Sequence, residues 1–282
     1  TESEEFRTYI AKFKSLFSPY LTIGRLKSIV DNSNDTGWTM NKDELVIAAD
    51  YERKICATRM RVVVESTQDG EFYKNWVAAD QLDFRSFALE SAASFSSEPA
   101  DEQRLTFIAG GRPGREKGFV ELCRQFASVR DWAQDRRLTV GLSILCREAR
   151  RDKGAAYIEE IERVIAEYGL KDVVQIESKI SLDQLRRRIA EATAVIVSSL
   201  YDPFCLMPTY AVEVKTPAFV SHNAGVSENI KSRQFTFDPQ IEGDLLRSVS
   251  LWFEERGLFE YESCHPTYHD IYLDKDLPRT WE

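Results

Sequence analysis

Arg112 and Lys117 lie in the stretch GGRPGREKGF (110–119), which follows an apolar run and precedes an amphipathic one. Glycine and proline there mark a tight loop, and two arginines with a lysine bring positive charge to it. Accessible backbone beside fixed cations suits the docking of an anion. Two more loops carry small or polar residues of the same kind. SSLYDPFCLMPTY (198–210) holds Asp202 and Cys205, and SHNAGVSENI (221–230) holds His222, Gly225 and Glu228. The first of these runs straight into a helical segment, and helix N-termini attract phosphates. On one sheet edge the three loops would form a pocket for a phosphorylated nucleotide.

The elements that must position them alternate. RLTFIAGG (104–111), RLTVGLSILC (137–146), DVVQIES (172–178), TAVIVSSL (193–200), TPAFVS (216–221) and QFTFDP (234–239) are predicted strands. The fourth is almost wholly apolar, as a strand buried on both faces of a parallel sheet should be. Between them, Phe119, Leu122, Cys123 and Phe126 share one helical face, and so do Ile158, Ile161 and Ile165, in a helix ending at Gly169. Ser181 and Gln184 stand in capping-box positions, PTYAVEV (208–214) reads as a short helix, and Leu245, Val249, Trp252 and Phe253 line a last one. Strand–helix alternation of this kind predicts an α/β fold, a Rossmann-like doubly wound parallel sheet, whose ligands bind beyond the carboxyl ends of the strands.

Residues 1–100 are read as a partial N-terminal α/β segment and linker, 101–255 as the Rossmann-like domain and 256–282 as a C-terminal tail. EEFRTYIAKFKSLF and IGRLKSIV look helical, DELVIAAD and RMRVVVES look like strands, and SFALESAASFSSEPADEQ looks like the linker. The sequence opens on Thr1, which suggests a piece of something longer.

Composition narrows the chemistry. A net charge of −9 argues against a general nucleic-acid binder, which needs a basic surface. The five cysteines (Cys56, Cys123, Cys146, Cys205, Cys264) are dispersed without a CxxC pair, which suits a reducing cytoplasm. No run reaches the about 18–20 apolar residues of a membrane span. No GK[ST] occurs, so a Walker loop is excluded, and GGRPGREKG lacks the GxGxxG spacing of a dinucleotide fingerprint. The Asp-x-Asp of Asp274 and Asp276 is read as a solvated tail, and His265 and His269 as tail residues. His222 alone is expected to face the pocket.

IAGGRPGREKGF, then YGLKDVVQIESKISLDQLRRRIAEATAVIVSSL, then DPFCLMPTYAVEVKTPAFVSHNAGVSENI resemble the C-terminal domain of the retaining GT-B glycosyltransferases of family four, over about residues 104–255. The resemblance implies a nucleotide-diphosphate sugar as donor, a glycan or lipid-linked acceptor, and no metal or other cofactor. It implies that Arg112 and Lys117 hold the donor diphosphate, that Asp202 binds sugar hydroxyls, and that Gly111, Phe204, Cys205, Leu206, Tyr210, Gly225 and Glu228 line the donor site. It also implies a cytoplasmic enzyme, with peripheral membrane association through a missing N-terminal part.

The sequence departs from the family pattern at four places. Asp202 and Tyr210 stand where the family has paired glutamates, and a tyrosine cannot replace the carboxylate that grips ribose. Cys205 and Lys215 stand where it has glycines. Other readings stay open for single residues: Asp202 as a helix cap, Glu228 as a first-turn residue favoured by the dipole, Tyr210 as packing, and Cys205 as an inert small hydrophobe. A reactive Cys205 thiolate, protected by bound nucleotide, is the alternative expectation. Two functions follow: the donor-binding part of a sugar transferase, or a degenerate transferase-like module that binds without catalysis.

Overall fold

The computed structural model describes residues 62–64, 66, 67, 70, 80, 82–84, 92–96, 101, 103–146, 152–178, 180–202, 204–255 and 257–262. The helices expected near residues 4–30, the strand at 43–50, Cys56, Cys264, His265, His269, Asp274, Asp276 and Pro203 fall outside them. The chain divides into two compact units, Thr1–Val63 with Gly70–Asp83, and Val64–Asp69 with Phe84–Glu282. Among the described residues, three short strands come first: β1 (Val62–Val64), within the predicted RMRVVVES, β2 (Leu82–Phe84) and β3 (Ala92–Ser96).

The larger unit then alternates as the sequence predicts. Its elements are β4 (Arg104–Gly111), α1 (Phe119–Asp135), β5 (Thr139–Cys146), α2 (Asp152–Glu167), β6 (Val174–Ser178), α3 (Leu182–Glu191), β7 (Ala194–Val197), α4 (Met207–Glu213), β8 (Ala218–Ser221), β9 (Thr236–Phe237) and α5 (Asp244–Glu255). Six strands form one parallel sheet in the order β6-β5-β4-β7-β8-β9. The order reverses between β4 and β7, which makes their carboxyl ends the switch point where such sheets bind ligands.

The apolar periodicities are the packing faces. Phe119, Leu122, Cys123 and Phe126 of α1 are all buried, as are Ile161 and Ile165 of α2 and Leu245, Val249 and Trp252 of α5. All four residues of β7 are buried, because helices cover both of its sides. Phe219 of β8, beside the edge strand β9, meets Trp252 edge-on, with ring centroids 5.7 Å apart.

Helix ends follow backbone chemistry. Ser181 and Gln184 form the expected capping box at α3. Helices α1, α2 and α4 each close with the paired backbone bonds of a Schellman motif. The left-handed residue is Gly169 after α2, but Arg137 (φ 59°) after α1 and Lys215 (φ 58°) after α4. A Cβ in that conformation costs about 1 kcal/mol. Lys215→Gly and Arg137→Gly are therefore expected to raise stability by about 1 kcal/mol each in urea unfolding; unchanged midpoints would show that the exposed basic side chains compensate through the helix dipole.

Two expectations need correction. Residues 92–96, read as linker, form β3, which pairs antiparallel with β10 (Leu258–Glu262), read as the start of a tail. In β10 the buried Phe259 and Tyr261 alternate with exposed Leu258, Glu260 and Glu262. That is the period of a strand with one buried face, in a run too short to stand out beside the apolar end of α5.

Candidate functional site

The sheet brings the three predicted loops together. Beyond β4 the chain makes a single 3-10 turn (Arg115–Lys117) and enters α1 through Gly118 at φ 63°. No side chain of that loop caps α1. Instead the Phe119 N–H donates to the Tyr157 hydroxyl of α2 at 3.0 Å. The stem of Lys117 lies over Gly111, where a Cβ would come 3.4 Å from its Cε. Glycine at 111 thus leaves the lysine room to lie flat across the end of β4.

The first loop is stitched to the second, which follows β7. Ser198 Oγ donates to the Lys117 carbonyl at 2.9 Å, and the Leu200 N–H donates to the Glu116 carbonyl at 2.8 Å. A Cβ at Gly118 would run into the Ser198 carbonyl oxygen. The second loop is stitched in turn to the third. Asp202 forms a parallel bridge with Ala224, the Gly225 N–H donates to the Asp202 carbonyl at 2.8 Å, and the Val226 N–H donates to that of Phe204 at 2.9 Å. From below, Asn229 donates to the Tyr261 hydroxyl of β10 at 3.1 Å. The stretch read as a tail therefore supports the third loop.

At the centre Lys117 and Asp202 form an ion pair, with side chains 16% and 11% exposed. Burial works against the charged amine, but the Asp202 carboxylate outweighs it, and the Lys117 pKa stands above its ordinary value. The lysine is a cation throughout the neutral range. Arg112 is 48% exposed and lies 3.7 Å from Glu116, one turn on. Arg115 is turned the other way, donating to Glu160 of α2 at 2.8 Å. Of the three cations in this loop, one is central, one is at the rim and one ties the loop to α2.

Cys205 sits at φ 74°, a conformation that favours glycine. Where the resemblance sets a glycine, the cysteine holds a backbone that glycine favours. Burial and then the Asp202 carboxylate push the thiol up to about 12. The direction favours the inert reading over the reactive thiolate: α4 is one short helix, while desolvation and a neighbouring negative charge both act against the thiolate. Cys205 is expected to resist iodoacetamide at neutral pH for as long as a surface thiol takes to react fully; rapid labelling would put a cation closer to the sulfur than Asp202.

The other predicted residues divide. Phe204 and Gly225 are buried in the loop junction, and Leu206 projects from it at 43% exposure. Tyr210 lies on α4, half-buried under the Arg186 guanidinium of α3, 5.2 Å from the ring centre. It packs between helices, in keeping with the plainer reading. The Glu228 carboxylate accepts the Thr67 N–H at 2.9 Å, in the first turn of a 3-10 segment. His222 is exposed, 3.5 Å from the Asp238 carboxylate. Among the described residues, no group of three or more His, Cys, Asp or Glu side chains is placed to hold a metal ion.

Sequence reasoning missed Ser198 and the Glu116 carbonyl, which join the first two loops. Only the run of small residues ending TAVIVSSL hinted at the first, and nothing hinted at the second. A separate cavity of about 540 Å³ opens against the amino-terminal halves of β4 and β5, lined by Thr106, Ser143, Gln175, Arg188 and Thr193 among others. It contains none of the predicted site residues.

Comparison with known proteins identifies the family and the fold. Residues 90–265 match the family described as glycosyl transferases group 1. No curated protein matches the chain. Among solved structures it is similar to sucrose-phosphate synthase from Thermosynechococcus elongatus, at 19% identity and a TM-score of 0.64, over 87% of this chain and 61% of that one. It is similar to a glycosyltransferase from Rickettsia africae, at 12% identity and 0.56, over 83% and 71%. It is also similar to HepE from Anabaena solved in complex with UDP-glucose, at 15% identity and 0.57, over 77% and 59%. The chain spans about three-fifths of the length of the first and third of these. The sheet order, the loops at its switch point and the family match over residues 90–265 lead to one conclusion: the chain belongs to the group 1 glycosyl transferases, with the GT-B fold.

Proposed function

We propose that this chain carries the donor-binding domain of a retaining glycosyltransferase that takes a nucleotide-diphosphate sugar. The observation that carries the reading is the buried Lys117 ammonium at the switch point, ringed by three loops knitted through backbone bonds. An oxyanion placed there would meet a charge with few competing waters, where its attraction is strongest. Arg112, at the exposed rim of the same loop, supplies a second cation.

In the reaction we propose, the bond from the anomeric carbon to the diphosphate breaks with its electrons on phosphate. The acceptor hydroxyl attacks from the same face and passes its proton to the departing phosphate oxygen. Lys117 and Arg112 stabilise the charge on the leaving group, the task a metal ion performs in other transferases. No metal is required in this scheme. The acceptor would be a glycan or a lipid-linked sugar, bound largely by parts other than residues 101–255. HepE, with a UDP-glucose complex, supports a nucleotide sugar as the donor class.

A second reading is favoured by Tyr210 packed beneath Arg186 and by Cys205 held in a glycine conformation: a module that binds nucleotide without transferring sugar. Calorimetry with UDP, GDP and ADP, joined to an assay for sugar release from UDP-glucose, separates the two. Binding that falls about tenfold or more in Arg112→Ala supports the phosphate site, since one charge-assisted contact contributes about 1.5–3 kcal/mol. Binding without any turnover, even with the complete gene product, supports the second reading. Binding indifferent to both Arg112 and Lys117 removes the first.

A further inference from the structure

Lys117 is largely shielded from solvent at the junction of the loops, with 16% of its side chain exposed. Its ion-pair partner is the side chain of Asp202, 85 positions along the chain. The backbones on both sides are fixed. Lys117 N–H donates to the Gly114 carbonyl at 2.9 Å and its own carbonyl accepts from Ser198, while Asp202 is bridged to Ala224 and its carbonyl accepts from Gly225. The carboxylate is less firmly held: besides Lys117 it accepts a long 3.4 Å bond from the Phe204 N–H and is approached by the Cys205 thiol. Rotating one side chain would uncover the ammonium without moving any loop.

We propose that Asp202 is an internal surrogate for the ligand's anion, and that an incoming phosphate must exchange with it for Lys117. This deepens the reading of Lys117 as the phosphate-binding cation and rests on it. A buried ammonium needs a partner in both states, so the carboxylate leaves only as an oxyanion arrives. The exchange sets a threshold. A neutral sugar cannot compensate Lys117, and a single carboxylate offers it nothing beyond what Asp202 already gives. A phosphate or diphosphate, with more charge and more acceptor oxygens, displaces the carboxylate. The Asp202 carboxylate opposes the anion until that rotation has occurred, and Glu116 adds a second negative charge close by. The apparent affinity is then the intrinsic affinity reduced by the cost of displacing Asp202 from Lys117.

The probe is inorganic pyrophosphate, titrated by calorimetry into the whole chain, its Asp202→Asn and Asp202→Ser variants, and Lys117→Ala. Pyrophosphate is expected to bind about tenfold more tightly to both Asp202 variants and not measurably to Lys117→Ala. Unchanged or weaker binding to both Asp202 variants, with Lys117→Ala still inactive, overturns the exchange and leaves the phosphate site standing. Binding that survives in Lys117→Ala, or is absent from every protein, overturns the site and the exchange together. Using two Asp202 variants guards against misfolding of one, and thermal melting identifies which is intact.

Discussion

Lys117→Ala is expected to lower stability by about 3 kcal/mol and to remove nucleotide binding. Truncating one partner of a buried ion pair leaves the other charge desolvated and uncompensated, which costs roughly 3–5 kcal/mol, whereas the intact pair contributes little net. Asp202 is the group left behind, 11% exposed and held by backbone bonds on both sides of its Cα. It can relieve the penalty only by taking a proton or admitting water, so the lower end of the range is expected. The double variant Lys117→Ala/Asp202→Ala has no stranded charge and should recover most of the lost stability. It should not recover binding, because the cation is gone. Urea unfolding of the two single variants and the double, beside UDP calorimetry of each, reads both effects. A double variant as unstable as Lys117→Ala would mean that the lysine stem over Gly111, rather than its charge, holds the loops. A Lys117→Ala variant that still binds UDP as before would move the phosphate site elsewhere.

How far the site was legible in the sequence depends on how local each device is. The apolar stripes of α1, α2 and α5 and the bare run of β7 are periodic over many residues, and each packed as its period requires. The capping box of α3 is complete within four residues and was readable for the same reason. Glycine announces left-handed backbone at Gly169, but nothing in the letters Arg137, Cys205 or Lys215 does. Only the resemblance, by setting family glycines against Cys205 and Lys215, pointed to two of those positions. β3 and β10 are five-residue strands whose pairing depends on a partner more than 150 positions away. The Lys117–Asp202 pair was hidden more deeply. Both residues were candidates for the same ligand, yet that they neutralise each other follows only from β4 lying beside β7 in the sheet. Charge in a loop could be counted, but its direction could not. Arg112 and Arg115 look alike in GGRPGREKGF, and they point to different partners.

Gly118→Ala is expected to destabilise by about 3–4 kcal/mol, among the larger effects a single methyl can have. Two terms add. The first is conformational: φ is 63°, where a Cβ costs about 1–2 kcal/mol. The second is steric. The added carbon would overlap the Ser198 carbonyl oxygen, a backbone atom at the end of β7 that cannot turn aside as a side chain could. Relief requires moving α1 away from β7, and that loosens the Ser198–Lys117 and Leu200–Glu116 bonds which join the two phosphate-facing loops. Gly169→Ala is the control. Its φ is also 63°, but the nearest atom to an added Cβ is in the Arg130 guanidinium, at 3.7 Å, an ordinary van der Waals contact. It should cost only about 1 kcal/mol, the conformational part alone. In thermal melts the expected gap between the two variants is roughly 5–10 °C for a domain of this size. Nucleotide binding should weaken in Gly118→Ala and stay unchanged in Gly169→Ala, which sits at the end of α2. Equal melting points would mean that β7 and α1 separate without cost, and a switch point built that loosely could not hold Lys117 and Asp202 in register for a ligand.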